Sequence, residues 1–363
     1  MLKNPRGSLE AAFRRLKTSV EDSDRLTLIL VAAQAILAGG TFVTLVGQLP
    51  GTTTLFLLFL VTAGVSWTLR QAVTAKVLTF VMTTTVLATL GLIVVFLVIE
   101  AIPVFRHSGL SLFVPFEDAN WSTSEGDFSL VPMIWGTFLT TVVAVAVAAP
   151  FGVAGALFIS EIAPGWLKSF VKPGVEVLAG IPSIVYGFIG FTIINPYVGD
   201  LFSVSPGALF AIGLVIGLMA LPTVVSVAED ALSSVPDSMK NGSLAVGATD
   251  WQTMKSVTVP ASFSGISAAV LLGVGRAMGE TMAATVMISH ARNLPEPKLY
   301  NVFDSTETLT TLIASSYGNV TPGELFWSAL FAAGVFLLVI VTGLGIASQL
   351  IEQRMKRRLG GKE

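Results

Sequence analysis

Apolar positions in this chain neither alternate as in half-buried strands nor mark one stripe of a surface helix. They fill whole stretches, at 26–47, 54–69, 77–101, 131–159, 173–199, 207–228, 261–289 and 325–350. About 20 helical residues cross a bilayer, so the pattern predicts eight transmembrane helices. The second run is short and reaches across only with help from Gly51 to Thr53. Composition agrees: 53% of the residues are hydrophobic and 12% charged, whereas a soluble domain carries about 25% charged residues. The expected fold class is an all-α integral membrane protein.

Charge then sets the topology, because basic residues are retained on the cytoplasmic side. The N-terminal segment, the loops after spans two, four and six, and the C-terminal tail hold 17 Lys and Arg, against three on the other side, Arg106, Arg292 and Lys298. Both termini are expected in the cytoplasm, with the chain multi-pass in the cytoplasmic membrane. Residues 1–25 are too polar for a cleaved signal peptide and are expected to stay attached. With no cysteine there is no disulfide framework or thiolate metal site. No basic patch of the kind that binds nucleic acid stands out.

The runs suggest a cytoplasmic tail at 1–25, a transmembrane hairpin at 26–76, a main domain at 77–350 and a basic tail at 351–363. Leu9, Phe13 and Leu16 recur at helical spacing among arginines, so the first segment is either a membrane-surface helix or a solvated tail. The outer loop 102–130, with Glu117, Asp118, Glu125 and Asp127 among aromatics, reads as an external cap or docking surface. Span five carries Gly180 and Pro182, and its helix should break there, beside Ser183. Broken backbone at membrane depth is tolerated where protein or a wet cavity surrounds it, so the break either lines a pathway or shapes packing. In the cytoplasmic loop 229–260, Pro236-Asp237 starts a short helix and Gly247 sits where it would end. Thr249 and Gln252 then fit a capping box opening a second helix to about Val257, and Pro260 suits the first turn of span seven. Two short helices joined by a glycine form a rigid protrusion suited to a protein partner.

Within LGVGRAMGETMAATV, 272–286, an arginine and a glutamate lie inside span seven. Arg276 at a helix centre costs about 2.5–3.5 kcal/mol on insertion scales, so it must meet protein or water. On an unbroken helix Glu280 is one turn on, on the same face, with Gly275, Gly279 and Ala283 beside the pair as a small-residue ridge for close helix approach. The pair fits an internal ion pair. It also fits a substrate path, since a guanidinium fork matches two oxygens of an oxoanion at any working pH, with Glu280 orienting the fork or accepting from a protonated oxyanion.

At these residues the chain resembles the permease subunits of ATP-binding-cassette importers, and among them the phosphate-specific permeases of the PstC type. The importer signature runs Glu-Ala-Ala, three residues, Gly, nine residues, a branched apolar residue, one residue, Leu-Pro. Here Gly247, Val257, Val259 and Pro260 hold that spacing, while Asn241, Gly242 and Ser243 replace Glu-Ala-Ala. GRAMGETMA at 275–283, EVLAGIPSIVYGF at 176–188 and the stretch 131–161 look like the phosphate-type segments, in the same order. The resemblance covers roughly 77–350 and implies a type I importer permease core of six helices, with the first two spans outside it. It implies that Arg276, Glu280 and Thr281 lie on the phosphate path, with Gly180, Pro182 and Ser183 lining it. It also implies that Asn241, Ala245, Gly247, Ala248, Asp250 and Trp251 belong to the segment seated on an ATPase, although Trp251 could equally anchor at lipid headgroups. The expected partners are a second homologous permease, two ATP-binding subunits and an external phosphate-binding protein over 102–130 and 290–322, with inorganic phosphate and membrane lipid and without nucleic acid.

No phosphate-binding loop of the Walker type occurs. ATP and magnesium are therefore expected on a partner ATPase, with no cofactor or metal in this chain. A gradient-driven secondary transporter uses broken helices and buried charges too. A membrane enzyme needs catalytic spacing, and His107 and His290 each stand alone in sequence. Among importers, sulfate or molybdate is the alternative cargo.

Overall fold

The computed structural model describes residues 25–113, 121–122 and 126–358. The predicted amphipathic tail with Leu9, Phe13 and Leu16, the loop acids Glu117, Asp118 and Glu125, and the end of the basic tail from 359 lie outside these residues. Eight helices among the described residues are long and apolar enough to cross a membrane. Two compact units, Met1–Phe96 and Leu97–Glu363, divide the chain.

In the first unit α1 (Arg25–Val46) and α2 (Thr52–Leu69) form a hairpin. Gly51 precedes α2 with φ +97°, a left-handed backbone that glycine takes without a Cβ penalty. Gln34 is fully buried, and its Nε2 donates to the Thr62 carbonyl at 3.5 Å. Ser66 and Thr74, both buried, share a hydroxyl hydrogen bond of 2.6 Å. Polar bonds of this kind join helices where lipid supplies no hydrophobic drive between them. Thr74 belongs to α3 (Gln71–Ser108), which runs on into the second unit.

The sequence places a loop from 102, but α3 stays helical to Ser108, past Pro103. Ser328 repairs the proline site: the Val104 N–H donates to Ser328 Oγ at 3.0 Å, and that hydroxyl donates to the Glu100 carbonyl at 2.6 Å. A short 3-10 turn, Gly109–Leu112, follows. Strands β1 (Trp121–Ser122) and β2 (Asp127–Phe128) pair antiparallel and bring Trp121 and Phe128 into a core with Leu112, Met133, Leu309 and Leu330.

Helix α4 (Val131–Leu157) continues as a wide π turn, Phe158–Ile162, and α5 spans Gly165–Ala179. Helix α6 (Ser183–Ile189), a π turn and α7 (Asn195–Phe202) together form one crossing. Span five is thus Ser183–Phe202, displaced from the predicted 173–199, because the break at Gly180–Pro182 sets α5 apart as its own helix. Helix α8 (Leu209–Ser233) is the most buried of the crossings. It runs against α4 at close quarters: a Cβ at Gly217 would lie 2.7 Å from the Ala144 carbonyl oxygen and one at Gly213 2.6 Å from Val143 Cβ. In lipid such backbone proximity supplies the dispersion contact that holds helices together.

The segment after α8 holds α9 (Asp237–Ala245) and α10 (Asp250–Thr253). As the spacing predicts, Gly247 takes φ +92°, and Thr249 with Gln252 forms a complete capping box. The second short helix does not end there. It passes through a π turn, Met254–Thr258, into α11 (Val259–Met278). Two short helices, α12 (Met282–Met287) and α13 (Leu309–Ser316), precede the last crossing, α14 (Leu325–Arg358).

Candidate translocation site and coupling surface

The continuous helix expected over 261–289 is broken: α11 stops at Met278, and Gly279, Glu280 and Thr281 separate it from α12. Arg276 therefore sits in the last turn of α11, where a cation favours the negative end of the helix dipole. Glu280 lies beyond the helix, so the shared face is lost, and with it the ion pair and the orientation of the fork by Glu280. Its Oε1 instead accepts from the Ala283 N–H at 3.1 Å in the first turn of α12. Its carbonyl accepts from Thr310 Oγ1 at 2.9 Å. The glycine flexes the chain, and the carboxylate offers the backbone an alternative to the helical bond. Thr281 Oγ1 donates to the Gly279 carbonyl at 3.2 Å, inside the same break.

Arg276 is exposed on the single chain and makes no hydrogen bond or ion pair among the described residues. Within the single chain the small-residue ridge is used only at one end. A Cβ at Gly275 would meet nothing, and one at Gly279 only carbonyls of its own turn. Ala283 alone is in close helix contact, where a Cβ on Gly187 would lie 2.7 Å from its Cα.

That contact joins the two broken spans through the halves that follow each break, α6 and α12. Asn195 adds a bond, Nδ2 donating to the Met287 carbonyl at 3.0 Å. At the first break Gly180 and Pro182 are exposed and Ser183 half-buried. Tyr186 of α6 reaches back, its hydroxyl donating to the Leu178 carbonyl at 3.1 Å. Sequence reading missed Gly187, Asn195, Tyr186 and Thr310. Only the glycine spacing in SIVYGFIGF hinted at a close crossing.

Beyond α12, His290 is not alone as its sequence neighbours suggest. Glu307, with a fully buried carboxylate, receives His290 Nδ1 at 2.8 Å, Arg292 Nε at 2.9 Å and Ser315 Oγ at 2.8 Å. Arg292 also donates to Ser316 Oγ at 3.0 Å. Three donors to one buried carboxylate make a locked frame. No group of three or more His, Cys, Asp or Glu among the described residues has metal-site geometry.

Near the C-terminal end of α8 Glu229 holds Lys172 at 2.5 Å and Lys168 at 3.1 Å, fastening α5 to α8. The hydrogen bond to Glu229 raises the pKa of Lys172 against the opposing effect of its partial burial. Of the predicted coupling residues, Asn241, Ala245, Gly247, Asp250 and Trp251 are exposed and Ala248 half-buried, on one compact protrusion. Trp251 is 66% exposed, so packing inside the chain does not occupy it.

Comparison with known proteins meets this geometry. Residues 148–357 match the binding-protein-dependent transport system inner membrane component family. The probable ABC transporter permease protein YqgH of Bacillus subtilis is 40% identical over 68% of this chain and 80% of its own length. The phosphate transport system permease protein PstC of Haemophilus influenzae is 34% identical over 66% and 81%. A crystal structure of a bacterial ABC transporter involved in import of the acidic polysaccharide alginate aligns with a TM-score of 0.50, covering 76% of this chain and 96% of that one at 15% identity. That likeness speaks for the fold: the bundle around α8 is that of an importer permease. By its helices, its match over 148–357 and its relatives, the chain is a multi-pass membrane protein that belongs to the inner-membrane components of binding-protein-dependent transport systems, alongside the PstC permeases.

Proposed function

We propose that this chain is one of two permease subunits of an ATP-driven importer that carries inorganic phosphate inward across the cytoplasmic membrane by alternating access. The observation that carries the reading is Arg276: a permanently charged fork in the last turn of a broken membrane helix, with no partner among the described residues. An uncompensated cation in a span is costly, and a passing oxoanion meets that cost for as long as it is bound. Relatives named as phosphate permeases support phosphate over other tetrahedral anions.

As a translocation component the chain is not itself the catalyst. ATP with its magnesium belongs on two separate ATP-binding subunits, seated on the protrusion from Asn241 to Trp251. A second homologous permease completes the passage, an external phosphate-binding protein delivers cargo, and both termini face the cytoplasm. Glu280 and Thr281 shape the break, and Gly180, Pro182 and Ser183 line the passage at the other break.

The test is ATP-dependent uptake of labelled phosphate by the reconstituted assembly, with sulfate as competitor. Uptake that needs ATP and ignores excess sulfate is expected. Uptake driven by an ion gradient without the ATPase, or abolished by sulfate, overturns the reading.

A further inference from the structure

We propose that the Lys240–Glu161 ion pair is a positioning contact that makes the coupling protrusion and the end of span four move as one body. The inference rests on the ATPase-coupling reading above. Helix α9 has no buried residue, so apolar packing does not hold it to the bundle. Its polar fastenings lie at two places. Near its C-terminus, Thr253 Oγ1 donates to Ser243 Oγ at 3.0 Å, and the Ala248 N–H to the Ser243 carbonyl at 3.3 Å. In its middle, Lys240 Nζ lies 2.7 Å from Glu161 Oε1, with side chains only 20% and 13% exposed.

The two fastenings lead to different crossings. Thr253 and Ala248 belong to the stretch that continues through the π turn into α11, the helix that carries Arg276. Glu161 belongs to the π turn that ends α4, where Ser160 Oγ donates to the same oxygen at 2.8 Å. Held only at the first place, α9 could pivot about the left-handed Gly247, and a push from a partner would be absorbed by that hinge. A second attachment on another crossing removes the pivot. The push then reaches α4 and α11 together, and both pack along α8. An ion pair near a surface contributes little to stability, and a stability role alone would not tie its loss to the ATP-to-phosphate ratio.

The experiment uses the assembled transporter in liposomes and measures ATP hydrolysed per labelled phosphate imported, for Lys240→Glu, Glu161→Lys and the double swap. Each single reversal is expected to raise that ratio by about fivefold or more, and the swap to return it to within about twofold of wild type. Lys240→Arg, which keeps the charge, should stay near wild type. Singles with a wild-type ratio, or a swap no better than the singles, overturn the proposal. So does loss of assembly in the singles, whether or not the swap restores it, because the pair would then act in folding and not in coupling. A wild type that imports no phosphate at the expense of ATP overturns the functional reading itself, and the inference with it. A coupled wild type with unaffected variants overturns the inference alone.

Discussion

Arg276 and Arg292 flank the same short stretch of chain, and their surroundings are opposite. Arg292 is saturated: its Nε meets Glu307, its Nη2 donates to Ser316, and its guanidinium lies 5.8 Å from the centre of the Trp121 ring. Arg276 is exposed at a helix end and has none of these among the described residues. A saturated cation is part of the frame, because its energy is already spent on fixed neighbours. An unsatisfied one inside a span persists only if something else meets it during function.

The largest effect that would sharpen this contrast is expected at the frame. Glu307→Ala leaves Arg292, His290 and Ser315 without the buried carboxylate they share, and a hydrogen bond to a charged group is worth about 1.5–3 kcal/mol. The thermal midpoint of the purified protein in detergent should fall clearly; an unchanged midpoint would show that Arg292 is no more fixed than Arg276.

Next comes the contrast itself. Arg276→Lys keeps charge but loses the fork, and uptake should drop by about tenfold to a hundredfold with an unchanged thermal midpoint. Arg292→Lys should do the reverse, lowering the midpoint while the KM for uptake holds. Wild-type uptake by Arg276→Lys would demote that residue to scaffold.

Smaller effects belong to the break that presents Arg276. Glu280→Ala removes an acceptor from the Ala283 N–H and should cost about 1 kcal/mol, as loss of a helix cap does, seen as slower uptake. Glu280→Gln retains the acceptor and should recover much of that loss; equal loss in both would mean that the carboxylate charge, not the capping bond, matters. Least of all, Thr310→Val removes one bond to the Glu280 carbonyl, worth about 0.5–1.5 kcal/mol. Thr310→Ser should restore the uptake rate. Failure of that rescue would separate Thr310 from the break.

Much of this was legible in the chain. The eight crossings follow from run length, because a bilayer demands about 20 apolar helical residues wherever they occur. The break at Gly180–Pro182, the left-handed Gly247 and the Thr249–Gln252 box are local, and local chemistry decides them. The shift of span five and the helical course of α3 past Pro103 were not legible. The first adds to the break the ties of Lys168 and Lys172 in α5 to the distant Glu229, and the second adds a serine from the last crossing that repairs the proline site.

The site divides along the same line. The identity and rarity of Arg276 marked it in the sequence, since an arginine among apolar residues is conspicuous anywhere. Its pairing with Glu280 was inferred from unbroken helical spacing and did not survive, because Gly279 and a side-chain bond to Ala283 ended the helix between them. His290 with Glu307, Gly187 with Ala283, and Lys240 with Glu161 all join residues far apart in the chain. No periodicity carries such information. The sequence by itself determined which segments must leave water, where the backbone must bend, and that one fork of positive charge has to be accounted for. Only the tertiary structure decided which charges are consumed as frame and which is left open, because that depends on what distant segments bring within about 3 Å of each group.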